Sequence, residues 1–461
     1  MEPGGDSRIK LDVSDALQML RILSRQLSAP EKADLLGQLK AHLLDQSIGN
    51  EYKRIAWLKN LFCEVPLLDM ELDSDKAISL FTFLLNNLYP DIKGYFSQNV
   101  RIPFLMTVEL VISQLRELLA DSQCQCNKLY RLQAMTMSRL GAELTFTGDH
   151  DAAMKKLLSA MEIMKRLVVD EPNESKSQRT LSNIYQNLGH LEKDVSSTAA
   201  FKWFEKSAET RKQLLELEPG NPLNMDLLAT SYCMMGDIEE HGNENDDGSG
   251  GTQWFLKTYK LSRRVIAIKP EDEDYQFSLS MICERLGCLR LRQNKPEQAL
   301  KWFTKSYSIT HQHYEANLNS RQKIDTYWVA CNWLGRTYSA LNDVASSRDW
   351  FFKALEVAER LYALDHNNIR YCGILAMACL KLADELESSY PETAMKYFSR
   401  SLKLTDSRIR EGLRSIDYCN ISIAALEGLQ RTSMGHTSPD SLTCQKNRLT
   451  ELQKMLDQIS C

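Results

Sequence analysis

The sequence predicts an all-α protein built as a right-handed α-solenoid of helical hairpins, and three observations predict it. Gly 20, Pro 12 and only 12 Val in 461 residues leave helix breakers and strand formers scarce along the whole chain. Small residues recur inside helical apolar patterns at Gly141, Gly189, Gly236, Gly287, Gly335 and Ala383, with successive spacings of 48, 47, 51, 48 and 48. A bulky pair follows each of them: Leu157-Leu158, Trp203-Phe204, Trp254-Phe255, Trp302-Phe303, Trp350-Phe351 and Tyr397-Phe398. Self-similarity at such a fixed period marks a repeat array.

The spacing resolves each repeat into two helices. From Leu157, Phe204, Phe255, Phe303, Phe351 and Phe398 the distance to a helix-ending site is always 15, at Pro172, Pro219, Pro270, Leu318, His366 and Leu413. From that site to the next small residue it is 17, whereas the small residue and its anchor stand between 15 and 19 apart. Two helices of fixed length joined by one elastic loop explain this. In the second helix Ala153, Leu157, Ala160 recurs as Ala200, Phe204, Ser207, as Ala299, Phe303, Ser306 and as Ser347, Phe351, Ala354. Small, large, small at steps of four and three residues makes one helical face. The glycine of the first helix marks a close approach of two backbones, and the aromatic is expected to pack across that pair. A lone hairpin cannot bury such a face, so neighbouring hairpins must stack on it.

At these residues the chain resembles the tetratricopeptide repeat family. Leu286-Gly287, Ala299 and Phe303 in one unit, and Leu334-Gly335, Tyr338, Phe351 and Ala354 in the next, carry the resemblance, which runs over residues 128–431. The period of about 48 residues exceeds the family's roughly 34, so the chain looks like the long-helix arrays. It departs from the pattern where Tyr185, Cys283 and Cys331 replace the family's tryptophan, where Gly251 replaces an alanine, and where Leu318, His366 and Leu413 replace proline.

The resemblance implies that first helices line a concave surface. Residues expected to face that groove are Asn183, Gln186 and His190 in the second unit, Cys233 and Asp237 in the third, Glu284 in the fourth, and Asn332 and Arg336 in the fifth. It also implies a non-catalytic scaffold or adaptor that holds a partner's peptide segment or helix. The alternative implied by long-helix arrays is a regulatory or sensor subunit acting on a separate protease, kinase or nucleotide hydrolase. The family's capture of a chaperone's C-terminal carboxylate needs basic residues that are missing here. Ser138 and Ala142 flank Gly141, Cys233 and Met234 precede Gly236, and Asn187 alone stands where one amide of such a clamp would be.

Four regions follow. Residues 1–126 are helical in pattern, with Asp15 to Leu23, Leu35 to Leu44, Ile78 to Leu88 and Ile102 to Leu119 as apolar helices, and are either a degenerate extension of the array or a distinct helical domain. Residues 127–431 hold six hairpins and a capping helix near 415–429. Residues 432–440 read as a linker, and 441–461 as a helix with Leu449, Leu452, Met455 and Leu456 on one face, folded back or bound to another chain.

Charge and motifs exclude several functions. Lys+Arg 56 against Asp+Glu 61 gives a net charge of -5, without the basic surplus that drives nucleic-acid binding. The N-terminus lacks a basic start with an apolar run, and no apolar stretch is long enough to enter a membrane. Most of the 12 cysteines sit singly in apolar helical stretches, which fits reduced core residues and a cytoplasmic protein. Cys124-Gln125-Cys126 lacks a second ligand pair, and His311 and His313 on one helix point apart, so no metal is expected. Glu239 to Gly251 resembles a calcium loop only in composition and reads as the stretched loop of the third unit. No phosphate-binding glycine loop, nucleophile elbow or zinc-helix motif is present, so no cofactor and no enzyme activity are expected.

Overall fold

The structure, a computed structural model, describes residues 96–118, 123–242, 249–432 and 439–460, with isolated helical positions between 37 and 89. Among the described residues there is no β-strand. The N-terminal helices expected at Asp15 to Leu23, Leu35 to Leu44 and Ile78 to Leu88 fall essentially outside the described residues. The chain divides into two compact units, Met1–Ile238 and Glu239–Cys461.

The first unit contains α1 (Gln98–Leu118), α2 (Gln123–Thr147), α3 (His150–Asp170), α4 (Ser175–Glu192), α5 (Ser197–Leu217) and most of α6 (Pro222–Gly242). Here α2 pairs with α3 and α4 with α5, while α1 packs directly on α2. Arg116 lies over the Tyr130 ring at 4.0 Å and donates to its hydroxyl, fastening α1 to the first hairpin.

The second unit holds the end of α6, then α7 (Ser249–Ile268), α8 (Glu273–Arg292), α9 (Pro296–Ala316), α10 (Arg321–Ala340), α11 (Val344–Leu364), α12 (Ile369–Leu386), α13 (Pro391–Arg410), α14 (Ile416–Thr432) and α15 (Pro439–Ser460). The pairs α8 with α9, α10 with α11 and α12 with α13 form the hairpins, and α9 on α10 and α11 on α12 stack them.

Turn chemistry fixes the helix starts. Gly148, Asn294 and Asn342 take positive φ in the tight turns inside hairpins, where glycine and asparagine are tolerated. One residue on, Asp149 and Asp343 cap the second helices by accepting from Ala152 N at 3.2 Å and Ser346 N at 3.1 Å. Second helices stop two residues before Pro172, Pro219, Pro270, Leu318 and His366. A proline there cannot continue the helix and biases the preceding residue out of it.

Inside three hairpins the glycine and the aromatic meet, and in the first Gly141 meets Leu157. A Cβ built on Gly189 would lie 2.5 Å from Phe204, one on Gly287 2.6 Å from Phe303, and one on Gly335 2.8 Å from Phe351. The phenyl ring therefore occupies the place of the missing side chain. Serines in the same face spend their hydroxyls on the paired helix: Ser207 donates to Ser182 O at 2.9 Å and Ser401 to Ala376 O at 2.8 Å. Hairpin-to-hairpin stacking then uses side chains about one repeat apart, such as Lys353 to the Tyr307 hydroxyl at 2.7 Å and Arg370 to Asp325 at 2.7 Å.

Two boundaries differ from expectation. The stretched loop was expected over Glu239 to Gly251, yet α6 continues to Gly242 and α7 begins at Ser249. Glu240 is buried and pairs with Arg292 at 2.5 Å, which holds the extra turn of α6 in place. Of the linker expected at 432–440, Thr432 belongs to α14 and α15 starts at Pro439, a residue preorganised for a first helical position, while 433–438 lie outside the described residues. The fold-back alternative for the C-terminal helix is the one observed: Leu452 is fully buried among Tyr418, Cys419 and Leu426, and Arg448 pairs with Asp406.

Among the described residues, the thiols of Cys283, Cys331, Cys372, Cys379 and Cys419 are buried core groups. Burial pushes the Cys331 and Cys379 thiols up to about 12, so at neutral pH they stay protonated and shielded. Maleimide treatment of the native protein at pH 7.5, followed by peptide mapping, is expected to leave Cys331 and Cys379 unmodified while exposed Cys444 is labelled. Rapid labelling of Cys331 before unfolding would contradict this packing.

Candidate functional site

First helices carry side chains that are not consumed by the hairpin cores, and the glycine sets their register. Gln186, Glu284 and Asn332 stand three residues before Gly189, Gly287 and Gly335, whereas His190 and Arg336 stand one after. Both positions lie beside the face that meets the aromatic ring.

In the first unit this register places Asn183, Gln186 and His190 on α4 and Asp237 on α6. Asn183 is spent inside the unit, accepting from Arg211 Nη2 at 2.8 Å. Gln186 is half-buried, and His190 is exposed with its ring edge-on to Phe204 at 5.4 Å. Desolvation there, then Lys193 and Arg211, hold the His190 pKa below its ordinary value against the pull of Asp237, which is itself buried. Asn187, the one amide of a would-be clamp, instead donates to Ser138 Oγ at 3.0 Å on the preceding first helix. It is a link between repeats.

In the second unit α8 and α10 enclose a pocket of about 600 Å³. Its apolar side is Met281, Cys288, Leu291 and Trp333, and its charged side is Glu284, Arg285, Arg292 and Arg336. Of the expected residues, Glu284 and Arg336 line it, whereas Asn332 is buried outside the lining. A column of contacts builds the floor from the repeat itself. The Phe303 ring fills the space over Gly287, Trp333 stacks on Phe303 with centroids 5.3 Å apart and planes 4° apart, and the Arg336 guanidinium lies 4.3 Å over Trp333.

The indole N–H of Trp333 donates to Glu284 Oε1 at 3.0 Å, bridging neighbouring first helices as Asn187 does in the first unit. Burial keeps the Glu284 carboxyl above the ordinary carboxylate range, opposed by the Trp333 bond and by Arg285. Arg292 reaches Glu240. Arg336 is exposed and has no carboxylate partner among the described residues. Burial pushes the Cys288 thiol up to about 12, which removes it as a nucleophile at neutral pH.

The sequence singled out two of the pocket's residues and missed six. Arg285 and Trp333 share a register, two before their glycines, and Arg292 lies five after Gly287. The repeat arithmetic therefore held a signal for them. Elsewhere, His313 and His311 do point apart: His313 pairs with Gln276 at 2.5 Å and His311 faces Glu315 at 3.5 Å. Cys124 to Cys126 lies in the first turn of α2. Among the described residues no group of three potential ligands could hold a metal, and no helix is long and apolar enough to cross a membrane.

Residues 330–368 match the family model described as tetratricopeptide repeat. No curated protein sequence matches the chain. Three of the solved structures that the chain resembles are these. The S. pombe nuclear import adaptor Nro1 is 13% identical with a TM-score of 0.42, over 72% of this chain and 96% of that one. The apo form of RapI is 13% identical with a TM-score of 0.48, over 82% and 97%. A signal-transduction ATPase of the STAND class with a tetratricopeptide repeat sensor, from Pyrococcus horikoshii, is 11% identical with a TM-score of 0.47, over 97% and 74%. The matched segment spans the second half of α10, all of α11 and the turn after it, so it includes Trp333, Gly335, Arg336 and Phe351. This chain thus stacks helical hairpins within each unit, and the segment of residues 330–368 is the part that matches the tetratricopeptide repeat model.

Proposed function

We propose that the protein is a non-catalytic, cytoplasmic interaction scaffold or adaptor whose first-helix walls hold a peptide segment of a partner protein. The observation that carries this reading is the pocket between α8 and α10, where a flat indole and a guanidinium with no carboxylate partner among the described residues stand together at the surface. Arginine and tryptophan are the residue types that most often anchor protein interfaces, because each supplies broad contact area and directional donors. The pocket offers recognition chemistry without an activated nucleophile: its thiol is held protonated, and its carboxyl is already bonded to an indole. In the first unit, α4 carries the half-buried Gln186 and the exposed His190 at the same register.

The test is site-directed photocrosslinking in cells. A photoreactive residue in place of Met281, which is exposed at the pocket, is expected to capture a protein partner. The same residue in place of Glu209, exposed on a second helix of the first unit, is not expected to capture it. Equal capture from both positions, or none from Met281, would remove the wall as the binding surface. Recovery of an enzyme in fixed stoichiometry from Met281 would make the scaffold a regulatory subunit of that enzyme.

A further inference from the structure

The α8–α10 pocket holds one guanidinium, that of Arg336, without a carboxylate partner among the described residues. Three guanidiniums line it, those of Arg285, Arg292 and Arg336. Arg292 is met by Glu240 from the end of α6. Glu284, the one carboxylate of the lining, accepts the Trp333 indole N–H instead of a bond from an arginine. Arg336 rests on the indole face and directs its donors to no carboxylate among the described residues. A guanidinium held flat on an aromatic ring keeps its edge donors available for a planar carboxylate.

The Arg336 charge is also local. The whole chain carries a net charge of -5, which disfavours a long polyanion such as nucleic acid or an anionic membrane surface. A short acidic stretch can use the pocket without meeting that repulsion over its length. The volume of about 600 Å³ exceeds what one carboxylate needs, and the Met281 and Leu291 side chains offer apolar surface beside the arginines. The complement of such a pocket is a carboxylate with an apolar neighbour.

We propose that this pocket takes an acidic peptide segment of a partner protein, with a side-chain carboxylate on Arg336 and an adjacent apolar side chain against Met281 and Leu291. This rests on the reading of the first-helix wall as a protein-binding surface. The carboxylate is one of the segment's side chains, so a free chain end is not required. Met281, Leu291 and Trp333 add apolar contact that does not depend on charge, so acidic residues alone bind more weakly than acidic residues interleaved with leucine.

The experiment uses the full-length protein and fluorescent, C-terminally amidated peptides in which acidic residues alternate with leucine. A counterpart has every acid replaced by lysine, and another has every leucine replaced by serine. Anisotropy titration at low salt is expected to show saturable binding of the acidic-leucine peptide, weakening as salt rises, with little binding of the lysine peptide. The serine form should bind less tightly than the leucine form. Arg336→Glu is expected to weaken the acidic-leucine peptide by about tenfold or more, Arg336→Lys to restore part of that loss, and Lys396→Glu, exposed on α13, to change it little. Arg336 is exposed, so an unchanged melting curve shows that its variants remain folded. Equal binding of the acidic and lysine peptides, or unchanged affinity in Arg336→Glu, would overturn the proposal. Preference for the lysine peptide would also overturn it while leaving the wall a binding surface, whereas loss of crosslinking from Met281 removes the scaffold reading itself.

Discussion

Gly287→Ala is expected to destabilise the protein by about 2 kcal/mol, although alanine is the better helix former by about 1 kcal/mol. The new Cβ would stand 2.6 Å from two carbons of the Phe303 ring, closer than real Cβ atoms approach any neighbour. Phe303 is fully buried and stacked on Trp333, so its ring has nowhere to swing without moving the pocket floor. The strain therefore exceeds the propensity gain. Shrinking the ring should relieve it. Phe303→Leu alone is expected to cost about 1–2 kcal/mol, and the double variant less than the sum of the singles by about 1 kcal/mol or more. Urea denaturation of the four proteins measures the cycle. Additive effects, or a stabilised Gly287→Ala, would show that this glycine is not the point of closest approach. The same variant should weaken peptide binding at the α8–α10 pocket, because Gly287, Phe303, Trp333 and Arg336 form one column.

Arg211→Ala is expected to cost about 3–5 kcal/mol, and Arg211→Met less, about 1–3 kcal/mol, because methionine removes the same donors but leaves no cavity. Arg211 is one of the largest fully buried side chains. Its guanidinium donates to Leu227 O at 2.6 Å, Asn183 Oδ1 at 2.8 Å, Ser231 Oγ at 2.8 Å and Ser182 Oγ at 3.2 Å, tying α4, α5 and α6 together. Alanine would leave a cavity and strip those oxygens of their donor. Methionine fills the space without the desolvation of a charge. Burial lowers the Arg211 pKa to about 9, partly offset by Asp226. The native state thus holds the proton more weakly than the unfolded chain does. Below about pH 9 both states are charged, so the stability difference between wild type and Arg211→Met is flat there. As the pH rises through 9 the unfolded chain binds more protons than the native one, and wild type gains on the variant. Thermal melts from pH 7 to 10 read this directly. A gain for wild type on lowering the pH would reverse the assignment.

Most of the hairpin architecture was legible because repetition multiplies a weak signal. One glycine before one phenylalanine means little. Gly189 with Phe204, Gly287 with Phe303 and Gly335 with Phe351 at nearly constant separation mean that a ring fills the same gap three times. Helix ends were readable for a different reason, since Pro172, Pro219 and Pro270 act through local backbone sterics. The stretched loop was misjudged because composition does not register distant partners. Glu239 to Gly242 looks like loop sequence, but Arg292 reaches Glu240 and keeps it helical. The candidate site was partly legible: Glu284 and Arg336 were placed on the wall, while Arg285, Arg292 and Trp333 went unnoticed among ordinary helix residues.

By itself the sequence determined the helical class, the two-helix unit and the glycine–aromatic contact, because these depend on neighbours within one hairpin and recur. Only the tertiary structure decided which of these first-helix side chains already spend their hydrogen bonds within the protein. Asn183 is consumed by Arg211, Asn187 by Ser138 and Glu284 by Trp333, all partners brought close by packing between helices. A side chain's hydrogen-bonding capacity is a property of its type, but whether that capacity is already satisfied depends on what the fold places within about 3 Å of it.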